Sequence, residues 1–295
     1  MSTISIVGIG RLGGALALAL DRAGFTLENL IYRTEAPSPS LTDLLSHKPT
    51  IVSINDQIAI GSDMILITTQ DSQIADVSQS LRALITSPSS VFITSGAISS
   101  SFIAHLRESG CTVGSIHPLL SVSDPILGAD RFQGAYFCVE GDGEAVKQAR
   151  SIVDALKGHS FTIKTDKKAL YHAAAVTASG DVTALIDMAI GMLEKCGLER
   201  DAAGKVLLPL ITSTVENFAE QGIEASLTGP FKRGDIETFE RHLETMKANT
   251  TPDELEIYLN LGKRSLEIAL RLPETDHPAL AELREKVSMA KKESR

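Results

Sequence analysis

Residues 4–15 read Ile4-Ser5-Ile6-Val7-Gly8-Ile9-Gly10-Arg11-Leu12-Gly13-Gly14-Ala15, and the reading of this stretch decides the fold. A short β-rich run leads directly into Gly-x-Gly-x-x-Gly, and the residues that follow, 14–23, are rich in Ala and Leu, with Gly24 placed to cap the helix they predict. Each glycine has its own physical reason. Gly8 permits a tight turn, Gly10 lets backbone approach a diphosphate, and Gly13 lets the helix pack on the strand. The free N–H groups and the positive dipole end of the helix then face a phosphate, with Ile9, Arg11 and Leu12 completing the loop. A glycine-rich turn without a ligand is the competing reading. The strand before it, the helix after it and a second strand at the expected distance favour a dinucleotide site.

That second strand, 30–32, runs into Arg33-Thr34, about 20 residues past the loop. NAD- and FAD-binding proteins, and methyltransferases with a similar glycine-rich turn, place a carboxylate there to hold a ribose. A guanidinium instead suits a 2′-phosphate, so the expected cofactor is NADP(H), with Arg33 and Thr34 on its adenosine side. Such a charge-assisted pair contributes roughly 1.5–3 kcal/mol, about 10- to 100-fold in affinity. A solvated arginine drawn towards Glu35 is the alternative.

Working outward, further β-rich runs at 51–53, 64–68, 91–94, 112–116, 135–139 and 161–164 alternate with helical patterns, which implies βαβ units and a mostly parallel sheet. The Pro/Ser-rich stretches 36–40 and 86–90 are too short for interdomain linkers. After residue 166 the β-rich runs stop, and periodic apolar patterns near 169–196, 201–221, 235–248, 252–272 and 278–291 read as all-helical. Thr251, Pro252 and Glu254 carry a capping-box signal. The expected fold class is therefore α/β then all-α: an N-terminal Rossmann domain with a mostly parallel sheet, residues 1–166, followed by a helical domain, 167–295.

A net charge of -9 and a 4% aromatic content without Trp oppose a nucleic-acid partner, which needs a cationic and base-stacking surface. Cys111, Cys138 and Cys196 stand far apart, so neither a zinc site nor a disulfide framework is expected, and a reducing cytoplasm fits. No His/Asp/Glu spacing suggests a metal, and no Gly-x-Ser-x-Gly elbow signals an acyl-transfer nucleophile. The chain enters a strand at once, with no signal peptide expected. The apolar stretch 173–193 is interrupted by Thr177, Ser179, Gly180, Asp181 and Asp187, and reads as a buried helix rather than a membrane span. Together with 206–215 it is hard to bury in one small bundle, which points to a homodimer.

In an open parallel sheet the ligand lies beyond the carboxyl ends of the strands. The residues there are Thr69-Gln70-Asp71, Ser95-Gly96 and His117-Pro118. Thr69 and Gln70 suit the ribose and nicotinamide side, and Ser95 and Gly96 a close turn past the reacting ring. Equally, Asp71 or Ser72 is suited simply to start a helix. His117 is placed to bond a substrate oxygen or move a proton, or to shape a His-Pro turn. His172 lies in an apolar stretch, either packed in the core or facing the cleft as a catalytic group. Asp235 is a helix N-cap candidate, and Arg233 beside it suits a substrate carboxylate or phosphate.

With Ser95-Gly96-Ala97, Ser115-Ile116-His117-Pro118-Leu119, Tyr171-His172-Ala173-Ala174-Ala175, Leu227-Thr228-Gly229-Pro230 and Arg233-Gly234-Asp235 added to the glycine loop, the sequence resembles the Rossmann-like proteins whose helical second half is a domain of unknown function. These lie within the 6-phosphogluconate dehydrogenase-like group, and more distantly the chain is similar to pyrroline-5-carboxylate reductase and prephenate dehydrogenase. The resemblance implies NADP(H) in the first domain, a long helix opening the second, a substrate between them and dimerisation through the helical half. It also implies an Asn facing the nicotinamide, where this chain has Ser179-Gly180-Asp181; the role then passes to Ser179 or Asp181, or lapses. The function expected is an NADP(H)-dependent oxidoreductase acting on a C=O or C=N carbon of a small anionic metabolite. The alternative is a non-catalytic NADP(H)-binding sensor or scaffold.

Overall fold

The structure is a computed structural model and describes residues 2–293 except Gln57. Its first unit, Met1–Gly180, is organised around an eight-stranded sheet. The strands are β1 (Thr3–Val7), β2 (Thr26–Tyr32), β3 (Thr50–Ser53), β4 (Met64–Ile67), β5 (Ser90–Ile93), β6 (Thr112–Pro118), β7 (Tyr136–Gly141) and β8 (His159–Phe161). They lie in the order β3-β2-β1-β4-β5-β6-β7-β8. Every neighbouring pair is parallel apart from β6 and β7, which run antiparallel with Ser115 opposite Glu140 and His117 opposite Cys138.

Strand side chains alternate between faces, so a strand covered on both sides reads as one apolar run. In β4, Met64 and Leu66 join one core cluster while Ile65 and Ile67 join the other. The first cluster seats α1 (Arg11–Arg22) and, beyond the short α2 (Pro39–Thr42), draws in Ala145, Ile152 and Val153 of a later helix. The second seats α3 (Ile74–Leu84) and the 3-10 stretch Ser100–Ser109. The short α4 (Pro125–Gly128) is capped by Asp124, and α5 (Gly143–Ala155) is the later helix of the first cluster.

The unit closes with α6 (Lys168–Thr177), whereas the sequence reading began the second domain at residue 167. The reason lies in the helix's first turn: Lys168 is fully buried against strand residues of the first unit. The single helix expected over 169–196 is broken at Ala178-Ser179, and α7 (Gly180–Lys195) resumes after the turn. The expectation of a buried helix over 173–193 is also corrected. No residue of α7 is buried, and Leu170, Val176 and Val182 are exposed. By length and composition alone, Thr165–Lys195 contains an 18-residue window apolar enough to cross a membrane, with a mean hydropathy of 1.4 over that window.

The second unit, Asp181–Arg295, is all-helical among its described residues. It contains most of α7, then α8 (Arg200–Ser226), α9 (Pro230–Arg233), α10 (Ile236–Asn249), α11 (Pro252–Ala269) and α12 (His277–Glu293). Its core is built from Phe239, Leu255, Leu259, Leu266, Leu280, Leu283 and Val287. The capping box of α11 forms as the sequence predicts: the Thr251 N–H donates to Glu254 Oε2 at 2.7 Å, and the Glu254 N–H to Thr251 Oγ1 at 3.2 Å. The predicted end of α8 at residue 221 coincides with a kink: Gly222 takes φ 80°, outside the helical region, and helical turns resume beyond it to Ser226.

Candidate active site

The site begins where β1 hands over to α1. Gly8 takes φ 98°, and its N–H donates to the Ile31 carbonyl at 2.8 Å, fastening the loop to the end of β2. The Thr68 hydroxyl donates to the Val7 carbonyl at 3.1 Å and to the Gly8 carbonyl in a shorter contact. A Cβ on Gly13 would collide with the Gly8 carbonyl and the Thr68 hydroxyl, so glycine is required there by the packing of α1 on the loop. A Cβ on Gly10 would meet nothing within 4 Å. Gly10 is the N-cap of α1 and no side chain caps that helix, so the N–H groups of its first turn have no side-chain acceptor from the N-cap. A dinucleotide diphosphate fits these features: close packing on the protein side, and exposed backbone N–H groups on the other.

From this loop a cavity of about 610 Å³ extends along the carboxyl ends of β4, β5 and β6. Gly10, Arg11, Leu12, Thr69, Gln70, Asp71, Ser95, Gly96, His117 and His172 all line it, so these ten expected site residues share one wall. The Thr69 hydroxyl is buried without a hydrogen-bond partner, an orphan that a ribose or carboxamide would satisfy. Neither Gln70 nor Gln73 caps the helical turns that follow. Ser95 has a local task instead, accepting from the N–H groups of Ala97 and Ile98 at 3.2 and 2.9 Å. Gly8, Ile9 and Gly13 hold the loop without lining the cavity. Arg33 and Thr34 also lie outside the lining, exposed two and three residues past the Ile31 carbonyl that Gly8 engages. Arg33 makes no ion pair among the described residues, and Glu35 does not engage it.

At the far end of the cavity two imidazoles meet. The rings of His117 and His172 stand edge to face with centroids 5.7 Å apart. Both turn a nitrogen towards Gly96, where a Cβ would lie 2.8 Å from His117 Nε2 and closer still to His172 Nδ1. Gly96 is therefore required by the approach of both rings. His172 Nδ1 is buried without a partner, while His117 Nδ1 lies 2.7 Å from the Tyr171 hydroxyl. Burial lowers the His117 pKa to about 4, with His172 and Lys168 adding to the effect, so its ring is neutral near pH 7. Burial also pushes the Tyr171 phenol well above its ordinary range, with Cys138 adding to the shift. A second cavity, of about 520 Å³, opens beyond the pair and is lined mainly by Leu119, Leu120, Ala174, Ala175 and Val176, with Ser121 and Ser179 on its wall.

Beneath the histidines lies a group that the sequence reading did not single out. Lys168 Nζ donates to Glu140 Oε1 at 3.0 Å and to Ser115 Oγ in a shorter contact. Glu140 also accepts from the Ser100 N–H and hydroxyl, each at 2.8 Å. Lysine and glutamate are both buried, and burial lowers the Lys168 pKa against the opposing pull of Glu140. The antiparallel register sets Glu140 opposite Ser115, and two residues along β6 stands His117. A helix rises about 1.5 Å per residue and a strand about 3.3 Å. Four residues of α6 therefore match two of β6, so Lys168 beside Ser115 brings Tyr171 and His172 level with His117. The only sequence signal for this was a lysine four residues ahead of a histidine on one helix face.

Of the remaining expected residues, Ser179 lines the second cavity while Asp181 and Arg233 lie in the second unit. The Ser179 hydroxyl donates to the Ala175 carbonyl at 2.9 Å. Asp181 is exposed in the first turn of α7 and belongs to the second unit. Arg233, also in the second unit, lies 3.5 Å from Asp235, which caps α10 by accepting from the Thr238 N–H at 3.0 Å.

Fold and loop define a Rossmann-like protein with a helical second part. Residues 2–118 match the family model of a Rossmann-like domain, and residues 135–265 that of a domain of unknown function, DUF2520. The chain thus joins a Rossmann-like domain to a DUF2520 domain, and the second match begins within the sheet, taking in Glu140 and Lys168. No curated protein sequence matches the chain. Among solved structures, it is similar to a proposed NADP oxidoreductase of Bacteroides fragilis, with 22% identity, 90% of this chain and 97% of that one covered, and a TM-score of 0.70. A protein of Thermotoga maritima gives 23% identity, 91% and 98% coverage and a TM-score of 0.68. The pyrroline carboxylate reductase of Plasmodium falciparum, solved with NADP bound, gives 16% identity, 98% coverage of both chains and a TM-score of 0.58. At these identities the likeness is one of fold.

Proposed function

We propose that the protein is an NADP(H)-dependent oxidoreductase acting on a C=O or C=N carbon of a small metabolite that carries an anionic group. The observation that carries this reading is Gly10, open to solvent at an uncapped helix N-terminus and joined by one continuous cavity to the His117–His172 pair. When bound, the nicotinamide supplies hydride exchange with that carbon. The chain's own residues bind and orient. The Gly8–Gly13 loop holds the diphosphate, Arg33 with Thr34 the 2′-phosphate, and Thr69 and Gln70 the ribose and carboxamide side. His117 faces the oxygen or nitrogen of the reacting double bond, and the apolar walls beyond it exclude water. Arg233, exposed in the second unit and 3.5 Å from Asp235, is the residue proposed to bind an anion.

Calorimetry with NADPH and NADH tests the cofactor, the expected result being tighter binding of NADPH. A panel of keto acids, imines and hydroxy acids, followed by reduced-nicotinamide absorbance, tests turnover. Tight binding with no turnover across the panel favours the second reading, a sensor or scaffold. That reading draws support from Gly180, which stands where the resemblance implies an Asn and offers no side-chain amide.

We also propose a homodimer in a reducing, cytoplasmic setting. Val206, Leu208, Leu210, Val215 and Phe218 of α8 are exposed in the single chain, and these apolar side chains, spread around much of the helix, are suited to burial against a second copy. The three cysteines are free.

A further inference from the structure

The contact between Tyr171 and His117 determines which hydrogen-bonding edge His117 turns to the site. A neutral imidazole has one N–H and one bare nitrogen, and the 2.7 Å contact allows two arrangements. Either the phenol donates to a bare Nδ1, leaving a hydrogen on Nε2, or an Nδ1–H donates to the phenol, leaving Nε2 bare. The phenol hydrogen chooses between them. Tyr171 keeps its proton because burial raises its pKa, and among the described residues its hydroxyl has no hydrogen-bond partner besides His117. If Nδ1 carried a hydrogen, the phenol hydrogen would be left unpaired in a part-buried site, which is the costly outcome. The groups facing the ring from neighbouring elements are Tyr171, His172 and Lys168 of α6 and Cys138 of β7. None supplies a carboxylate in contact that would favour a doubly protonated ring. His117 Nε2 and the unpartnered His172 Nδ1 converge over Gly96, an approach eased when one of the two carries a hydrogen.

We propose that Tyr171 is a positioning residue that holds His117 as the neutral Nε2–H tautomer, so that the edge presented where the two cavities meet is a hydrogen-bond donor. Its use on a substrate rests on the oxidoreductase reading; the tautomer itself does not. A donor edge selects among substrates. A carbonyl oxygen or an unprotonated imine nitrogen offers a lone pair to Nε2–H, whereas a protonated iminium offers none.

The test is the ring nitrogen spectrum of the ¹⁵N-labelled full chain, with His117 assigned among the seven histidines by His117→Gln. The expected wild-type spectrum at neutral pH shows His117 as the Nε2–H form, still unprotonated at pH values where an exposed histidine is charged. In Tyr171→Phe the Nδ1–H form should gain roughly fivefold or more, the worth of one hydrogen bond. A wild-type ring with its hydrogen on Nδ1, or a Tyr171→Phe ring with an unchanged tautomer ratio, overturns the proposal. If Tyr171→Phe does not fold, the wild-type spectrum alone decides. Absence of NADPH binding would remove the oxidoreductase reading while leaving the ring spectrum to stand or fall by itself.

Discussion

Gly10 and Gly13 lie three residues apart in one loop, yet alanine should act oppositely at the two. Gly10→Ala places a methyl group in open space, so stability should change by less than about 0.5 kcal/mol while NADPH binding weakens sharply, because that space is where the diphosphate belongs. Gly13→Ala forces α1 off the loop and should destabilise the fold by about 1–3 kcal/mol. Urea denaturation and calorimetry on both variants separate the two effects. Arg33→Ala should weaken NADPH about 10- to 100-fold and NADH little, checked by paired titrations. His117 makes stability depend on pH. Above pH 6.5 both folded and unfolded chains hold a neutral ring; below it the unfolded chain takes up a proton that the buried ring refuses until about pH 4. Stability should therefore fall as pH drops through that window, by up to about 3 kcal/mol, and urea midpoints of His117→Gln should lack this part of the slope.

At the scale of elements, the buried pair between α6 and β7 invites a direct measurement. Lys168→Met leaves the Glu140 carboxylate buried with only the Ser100 donors, and a loss of about 3–5 kcal/mol is expected in urea denaturation. Adding Glu140→Gln removes the stranded charge and should recover much of the loss. The same elements mark where sequence reading succeeded and where it stopped. Seven of the strands were legible where they form, the interior ones because a strand buried on both faces writes itself as an apolar run, as at 64–67, whereas the expected run 161–164 meets β8 only at Phe161. The glycine loop was legible because its chemistry is local. Glu140 was not, since its meaning comes from the reversal of β7, which pairs it with Ser115 and brings Lys168 within reach across 28 residues. Tyr171 is legible only through the resemblance, because a bond spanning 54 residues to His117 leaves no periodic trace. The break at Ala178-Ser179 was masked by the apolar residues that continue on either side of it.

For the whole molecule, the exposed apolar residues of α8 carry the expectation of self-association. Sedimentation should give a dimer, and Leu210→Glu should shift it to monomer without unfolding the second unit, whose core is formed by other residues. The level match of α6 with β6 sets a tighter constraint than any single contact. Strand and helix here behave like two rulers with different gradations that coincide at only a few marks. One extra residue inserted between Lys168 and His172 would leave the lysine at its mark but swing the imidazole about 100° around the helix axis, away from its neighbour on the strand. The spacing of four is thus a dimension of the site in its own right, as much a part of its design as the side chains at either end.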